Sequence, residues 1–431
     1  MTQKSPVLRI ARLALIAAVA KGPGFLIPVI IAAFFGAGRA TDAYFLAYGA
    51  ILLIGGTVGQ PLEATIVPFA AHALTRGRQA AAEFMDTLFR RGLRIGLGSA
   101  LVGALVTTIV FRFARPSGVS GTTILFYYAL LAPTAIAWCV AGLYTGSLVS
   151  AWHLEVGAIG YGFRGVGALC GALMGAWLRQ LWPVAVGVSL GEWGRVWWLR
   201  RRWESALSGA SGAAAGPPQS GFFGAAANQM LAQGVLSGAQ FLERFIVGTV
   251  AVAAISRVEY ANRLIMVAAV LFDSGIGPWL LASWSNTRVR LGLRSTWSAV
   301  YRPISLGGAT ALGVGLALFL AAPVLVSLIL RHGAFTSEDA DAVTSLLRWY
   351  AVGYVLNMSA LCVERLLLAR AQNRLFASLA IVRAATRLVT VLVLLDRVGI
   401  LALPAGYIVS EGVYLLLLLT FTRQLPEPVP A

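Results

Sequence analysis

Long apolar runs alternate along this chain with short polar breaks. The plainest uncharged stretches are Ile95 to Phe111, Pro116 to Trp152 and Pro303 to Leu330. About 20 apolar residues in a helix cross the hydrocarbon of a bilayer, so the pattern predicts membrane-spanning helices. Runs and charge breaks together give twelve spans, near 7–35, 43–72, 92–113, 121–150, 154–178, 181–199, 222–253, 257–285, 299–330, 340–370, 374–395 and 399–421. The longest hydrophilic stretch is "RRRWESALSGASGAAAGPPQSG" at 200–221. Its Gly, Ser and Pro content reads as a flexible linker. The expected organisation is an N-terminal six-helix bundle (1–199), a cytoplasmic linker (200–221) and a C-terminal six-helix bundle (222–431).

The two halves resemble each other. Asp42 precedes Pro61 by 19 residues, and Glu259 precedes Pro278 by the same 19. Tyr127, Cys139 and Arg164 recur 223 residues later as Tyr350, Cys362 and Arg387. Pro183 and Ser189 recur as Pro404 and Ser410. Copies separated by an even number of spans share one topology, which predicts a pseudo-two-fold axis along the membrane normal. Parallel repeats of this kind belong to transporters whose halves rock about a central site.

Composition agrees. The chain is 58% hydrophobic and 12% charged, against about 25% charged in a soluble domain, and its mean hydropathy is +0.78. The expected class is an all-α polytopic membrane protein of about twelve transmembrane helices. The net charge of +17 might suggest a nucleic-acid partner. Most of the basic residues instead sit in short loops at alternate ends of the spans, as the positive-inside rule requires. Nineteen loop basic residues, Arg195 and Arg200 to Arg202 among them, fall on one side and seven on the other. That asymmetry puts both termini in the cytoplasm and excludes nucleic acid. "AAVA" at 17–20 imitates a signal-peptide end, but the apolar pattern continues to Phe35, so an uncleaved first helix is expected. Cys139, Cys170 and Cys362 lie in apolar runs without a CxxC, so neither a metal site nor a cofactor is expected.

Charges inside the spans carry the candidate chemistry, because a charge at mid-bilayer costs roughly 2.5–3.5 kcal/mol. The basic ones are Lys21, Arg94, Arg164, Arg244, Arg263, Arg348, Arg383 and Arg387; acids include Glu63, Glu192, Glu243, Asp273, Glu364 and Glu411. Lys21 is followed by "GPGFLIP", whose Gly22, Pro23, Gly24 and Pro28 are expected to break or bend the first helix. Arg383 and Arg387, four apart, share one helix face. There they need an anionic ligand between them or an acid such as Glu364 or Glu411. A basic cavity lined by Lys21 and Arg263 would suit a diphosphate, which guanidinium binds through its planar fork. The acidic "SEDAD" at 337–341 reads as a cap for the tenth span.

Three segments carry a family resemblance. They are "FFGAGRATDAYFLAY" (34–48), "AISRVEYANRLIMVAAVLFDSGIG" (254–277) and "LRHGAFTSEDADAVTSLLRWYAVGY" (330–354). Together they resemble the MviN/MurJ family of lipid II flippases, within the multidrug/oligosaccharidyl-lipid/polysaccharide (MOP) exporter superfamily. By position, Asp42 matches the acid of the first-loop motif, Lys21 a first-helix basic residue, and Arg263 the eighth-helix arginine of the family's cationic cavity. Ile27 stands where the family has a second basic residue, and the second-helix arginine pair is replaced around Gly55 and Gly56. The family's members usually have fourteen spans, against twelve here.

The resemblance implies an undecaprenyl-diphosphate-linked saccharide moved from the inner to the outer leaflet of the bacterial cytoplasmic membrane by alternating access. The protein would act as a monomer among membrane lipids, with Lys21, Arg263, Arg383 and Arg387 on the diphosphate. Asp42 and Arg257 would gate the outer side; alternatively, Asp42 simply caps the second helix. An exporter of other lipid-linked oligosaccharides would share these features. A drug exporter would want an acidic or apolar cavity, and an envelope glycosyltransferase or polymerase a loop of catalytic carboxylates.

Overall fold

The computed structural model describes residues 6–114, 116, 118–151, 153, 155–207, 222–291, 301–369 and 373–424. It is all-helical, with no strand among the described residues. The helices are α1 (Pro6–Phe35), α2 (Arg39–Ile54), α3 (Gln60–Thr75), α4 (Arg78–Ala114), α5 (Gly121–Ser150), α6 (Glu155–Leu178), α7 (Trp182–Leu207), α8 (Phe222–Gly248), α9 (Ala254–Leu291), α10 (Arg302–Ile329), α11 (Ser337–Ala369), α12 (Asn373–Val398) and α13 (Ala402–Gln424). A π-helical turn, Gly55–Gly59, joins α2 to α3 without a break. Among the described residues the thirteen helices therefore make twelve rods that follow the twelve predicted spans. Among the described residues, Gly121–Ser150 and Arg302–Ile329 are two of the stretches long and apolar enough to cross a membrane. The protein is an all-α polytopic membrane protein.

One expectation is narrowed, from a broken or bent first helix to one without a break, and a second is corrected. Pro23 and Pro28 both lie inside α1, which runs uninterrupted from Pro6 to Phe35. Each proline removes one ladder bond, and close packing holds the helix through the loss. A Cβ on Gly165 of α6 would stand 3.2 Å from the Gly24 nitrogen and 3.4 Å from the Pro23 side chain. The corrected one is Arg195, assigned above to a cytoplasmic loop. α7 continues to Leu207, so Arg195 is helical and fully buried.

Packing divides the chain into two compact units, Met1–Ile255 and Ser256–Ala431. In the first, α6 lies on α7 through glycine faces: a Cβ on Gly167 would come within 2.7 Å of the Gly191 Cα. Such small-residue contacts bring helices together where water provides no hydrophobic drive. Helix α8 packs in this unit, against α2, α3 and the π turn. A second layer of packing joins the ends of α3, α4, α7 and α8 around Ala73, Met85, Trp203, Leu207 and Phe222. In the second unit α11 packs against α10 and α13, and α12 against α13. Its core includes Val363, Leu367, Tyr414 and Leu418.

Candidate functional site

The motif between α1 and α2 is a tight turn. Gly36 adopts φ +61°, a left-handed conformation that glycine takes without strain, and its N–H closes onto the Ala32 carbonyl at 2.9 Å. The Thr41 hydroxyl accepts the Gly38 N–H (2.9 Å) and donates to the Gly38 carbonyl (2.8 Å). Asp42 follows in the first turn of α2 and is 1% exposed. Its Oδ2 accepts the Ala253 N–H at 2.7 Å. Ala253 has φ +68°, a strained conformation for a residue with a side chain, and it lies in the turn just before α9. The carboxylate thus fastens a segment 211 residues away in sequence.

Arg257, the expected gating partner, sits in the first turns of α9. Its Nε donates to Asp339 Oδ1 at 2.8 Å and its Nη2 to Glu338 Oε1 at 3.0 Å. Those acids open α11, where the Thr336 hydroxyl accepts the Asp339 N–H (3.1 Å) and the Thr336 N–H donates back to Asp339 Oδ2 (3.3 Å). This is a capping box, so the acidic loop caps its helix and holds Arg257 as well. One turn beyond Arg257, Tyr260 meets Phe335 edge to face at 5.5 Å. Arg263 pairs with Glu259, four residues back, at 3.9 Å and is 35% exposed.

Arg383 and Arg387 project from α12 towards α13. Arg383 is bound to Glu411 Oε1 through Nε at 2.8 Å and Nη2 at 2.6 Å, and approaches Glu364 at 3.6 Å. Asn357 of α11 donates to the other Glu411 oxygen at 3.1 Å. The Arg383 guanidinium lies 4.8 Å from the Tyr414 ring centre, and that of Arg387 lies 5.2 Å from Tyr407. Two arginines and two glutamates thus share a site at the contact of α11, α12 and α13. Glu411 is fully buried there. Lys21 is part of α1, but its side chain lies outside the described residues.

The first unit holds a matching cluster. Glu192 of α7, 0% exposed, stands 3.4 Å from Arg164 of α6 and 3.5 Å from the fully buried Arg195. Arg195 also donates to Thr145 of α5 at 3.2 Å and lies 4.0 Å from the Tyr161 ring centre. Arg164 lies 4.9 Å from the centre of Trp138. Counting six rods to each half of the sequence, with α8 as the first of the second half, an arginine from the fifth rod meets a buried glutamate from the sixth in both, with a polar residue of the fourth completing the set. The run of arginines at 200–202 hid Arg195 in the sequence. Its spacing of three from Glu192, on one helix face, was the available signal.

Residues 220–427 match the family described as "Lipid II flippase MurJ". No curated protein matches the chain in sequence. Among solved structures, a lipid II flippase MurJ in an inward closed conformation is 14% identical, covering 96% of this chain and 88% of its own, with a TM-score of 0.78. An inward-facing MATE-family multidrug resistance transporter of the MOP superfamily is 12% identical, covering 95% and 97%, with a TM-score of 0.77. A MOP-superfamily transporter from Pyrococcus furiosus is 13% identical, covering 96% and 94%, with a TM-score of 0.67. The envelope-enzyme alternative falls away against this family and fold. Residues 220–427, just under half of the chain, match the lipid II flippase family, and the fold along nearly the whole chain is the one these MurJ and MATE-family structures share.

Proposed function

We propose that this protein flips an undecaprenyl-diphosphate-linked saccharide of the lipid II type from the inner to the outer leaflet of the bacterial cytoplasmic membrane. The observation carrying this reading is the lipid II flippase match over 220–427, a segment that holds Arg263, Arg383 and Arg387. Alternating access between the two halves would carry the headgroup across, with both termini and the 200–221 linker cytoplasmic. Lys21, Arg263 and Arg387 would meet the diphosphate. Arg383 would hold the α12 cation pair in register through Glu411 and Glu364, sharing the phosphate charge when substrate is present. Asp42 and Arg257 would control the outer gate, Asp42 by fixing the Ala253 turn and Arg257 by its hold on the start of α11.

One observation favours the second reading, export of other lipid-linked oligosaccharides. A Cβ on Gly55 would stand 2.5 Å from Trp138, and one on Gly56 would collide with the Ser237 hydroxyl. The π turn therefore has no room for the arginine pair that the family carries there, so headgroup recognition differs on this side.

The test is transport of fluorescent lipid II by the protein reconstituted in vesicles. Arg263→Ala should lower the rate at least tenfold at unchanged protein level. Arg263→Lys should recover it only in part, because an ammonium replaces a bidentate fork. Normal transport by the alanine variant would remove Arg263 from the site. Transport of a different undecaprenyl-linked oligosaccharide in place of lipid II would select the second reading.

A further inference from the structure

A groove of about 580 Å³ runs between α1 and α6 in the first unit. Leu15, Val19, Ala20, Ile159, Phe163 and Val166 line it, and Leu15, Val19 and Val166 are more than half exposed. Gly162 forms part of its floor: a Cβ there would stand 3.3 Å from the Ala20 carbonyl. The groove is thus a furrow in the lipid-facing surface, wide enough for a hydrocarbon chain.

What distinguishes it is its continuation. Phe163 packs on Trp198 of α7, ring centres 5.5 Å apart. The Arg202 guanidinium lies 5.5 Å from the Trp198 centroid, and one residue earlier Arg201 lies 4.5 Å from Trp197. Arg201 and Arg202 are exposed, and Trp197 is 54% exposed. Arg200 is engaged by Glu204 at 3.0 Å. An acyl-sized furrow therefore leads through the Phe163–Trp198 pair to the Arg202 guanidinium at the end of a membrane helix, with the exposed Arg201 adjacent in sequence. Tryptophan settles at the headgroup level, and basic residues there attract anionic lipid.

We infer that the α1–α6 groove and the Arg201–Arg202 pair of α7 form one binding site for an anionic phospholipid. Its acyl chain lies against Phe163 and Val19, and its phosphate meets the two guanidinium groups. The alternation of basic loops places these ends in the cytoplasmic leaflet, so the lipid is drawn from there. A groove without the arginines would take any acyl chain. The continuity with two exposed cations gives the site its preference for a negative headgroup.

Native mass spectrometry of the full-length protein, with phosphatidylglycerol and phosphatidylcholine in equal amounts, tests this. The wild type should retain one phosphatidylglycerol in clear preference to phosphatidylcholine. Arg201→Gln combined with Arg202→Gln should erase the preference, by about thirtyfold if each arginine contributes as juxtamembrane cations do. Val19→Trp, at a position 69% exposed and so tolerable to the fold, should block the furrow and lower retention of both lipids. Equal retention of the two lipids by the wild type would overturn the proposal. So would undiminished preference in the double variant. Displacement of the bound phosphatidylglycerol by equimolar undecaprenyl diphosphate would reassign the site to a prenyl diphosphate and also overturn it.

Discussion

A carboxylate that is 1% exposed needs a partner, and Asp42 has one in the Ala253 N–H. A charged acceptor makes a hydrogen bond roughly twice as strong as a neutral one, and here it secures a backbone held at positive φ. Asp42→Asn should fold and yet lose transport about tenfold, if the proposed gate contact is weakened with the charge. Asp42→Ala should also lose about 1–3 kcal/mol of stability, because a buried N–H is left unsatisfied. Thermal unfolding in detergent and vesicle transport separate the two effects, and normal transport by the asparagine variant would reduce Asp42 to a structural tie. The α12 cluster allows a parallel argument. Glu411→Leu should cost about 3–5 kcal/mol, the usual result of stranding one member of a buried pair. Glu411→Gln keeps an oxygen acceptor for Arg383, and its NH2 can meet Asn357 once that amide turns to present its oxygen, so it should cost less than half of that. Equal losses for the two variants would mean that charge is not what holds Arg383. The sequence flagged Arg383, Glu364 and Glu411 as charges in need of company, because cost at mid-bilayer is a local property. It did not pair them, since partners on three different helices depend on packing that no spacing encodes.

At the scale of elements, all twelve rods were legible, because each apolar run must be long enough to cross the hydrocarbon and each break must carry charge. The ends were less so: α4 begins at Arg78 and α7 continues to Leu207, well past the apolar runs. Those extensions are amphipathic, with Met85, Trp203 and Leu207 buried between helices and Arg90 and Arg200 exposed. Hydropathy alone does not separate such a helix from a polar loop. The first helix erred in the opposite direction. Pro23 and Pro28 signalled a break or a bend; the helix does not break, and the glycine face of α6 packs on it where the ladder is interrupted. Orientation rests on the loop charges, which would place the 200–221 linker inside and the start of α11 outside. Cys170 is the exposed native cysteine among the three. In a Cys170→Ser background, cysteines placed at Ser211 and Ser337 should react with an impermeant maleimide from opposite sides of intact cells. Labelling from the same side would break the twelve-span topology.

For the whole molecule, one repeated design accounts for the distribution of charge. Each half of the sequence buries an arginine–glutamate cluster between its fourth, fifth and sixth rods: Arg164 and Arg195 with Glu192 in one, Arg383 with Glu411 and Glu364 in the other. Such clusters favour one packing of the helices over others, because any slip strands a charge in a medium of low dielectric. Helices held in this way would suit the proposed movement of the two halves as bodies. The lipid II flippase match over 220–427 then bears on what is carried. The most direct test is depletion of the protein in its native bacterium, followed by the amount and leaflet of undecaprenyl-diphosphate-linked saccharides. The account predicts that lipid II accumulates and becomes inaccessible to a probe added outside the membrane. Unchanged lipid II, still accessible from outside, would contradict it.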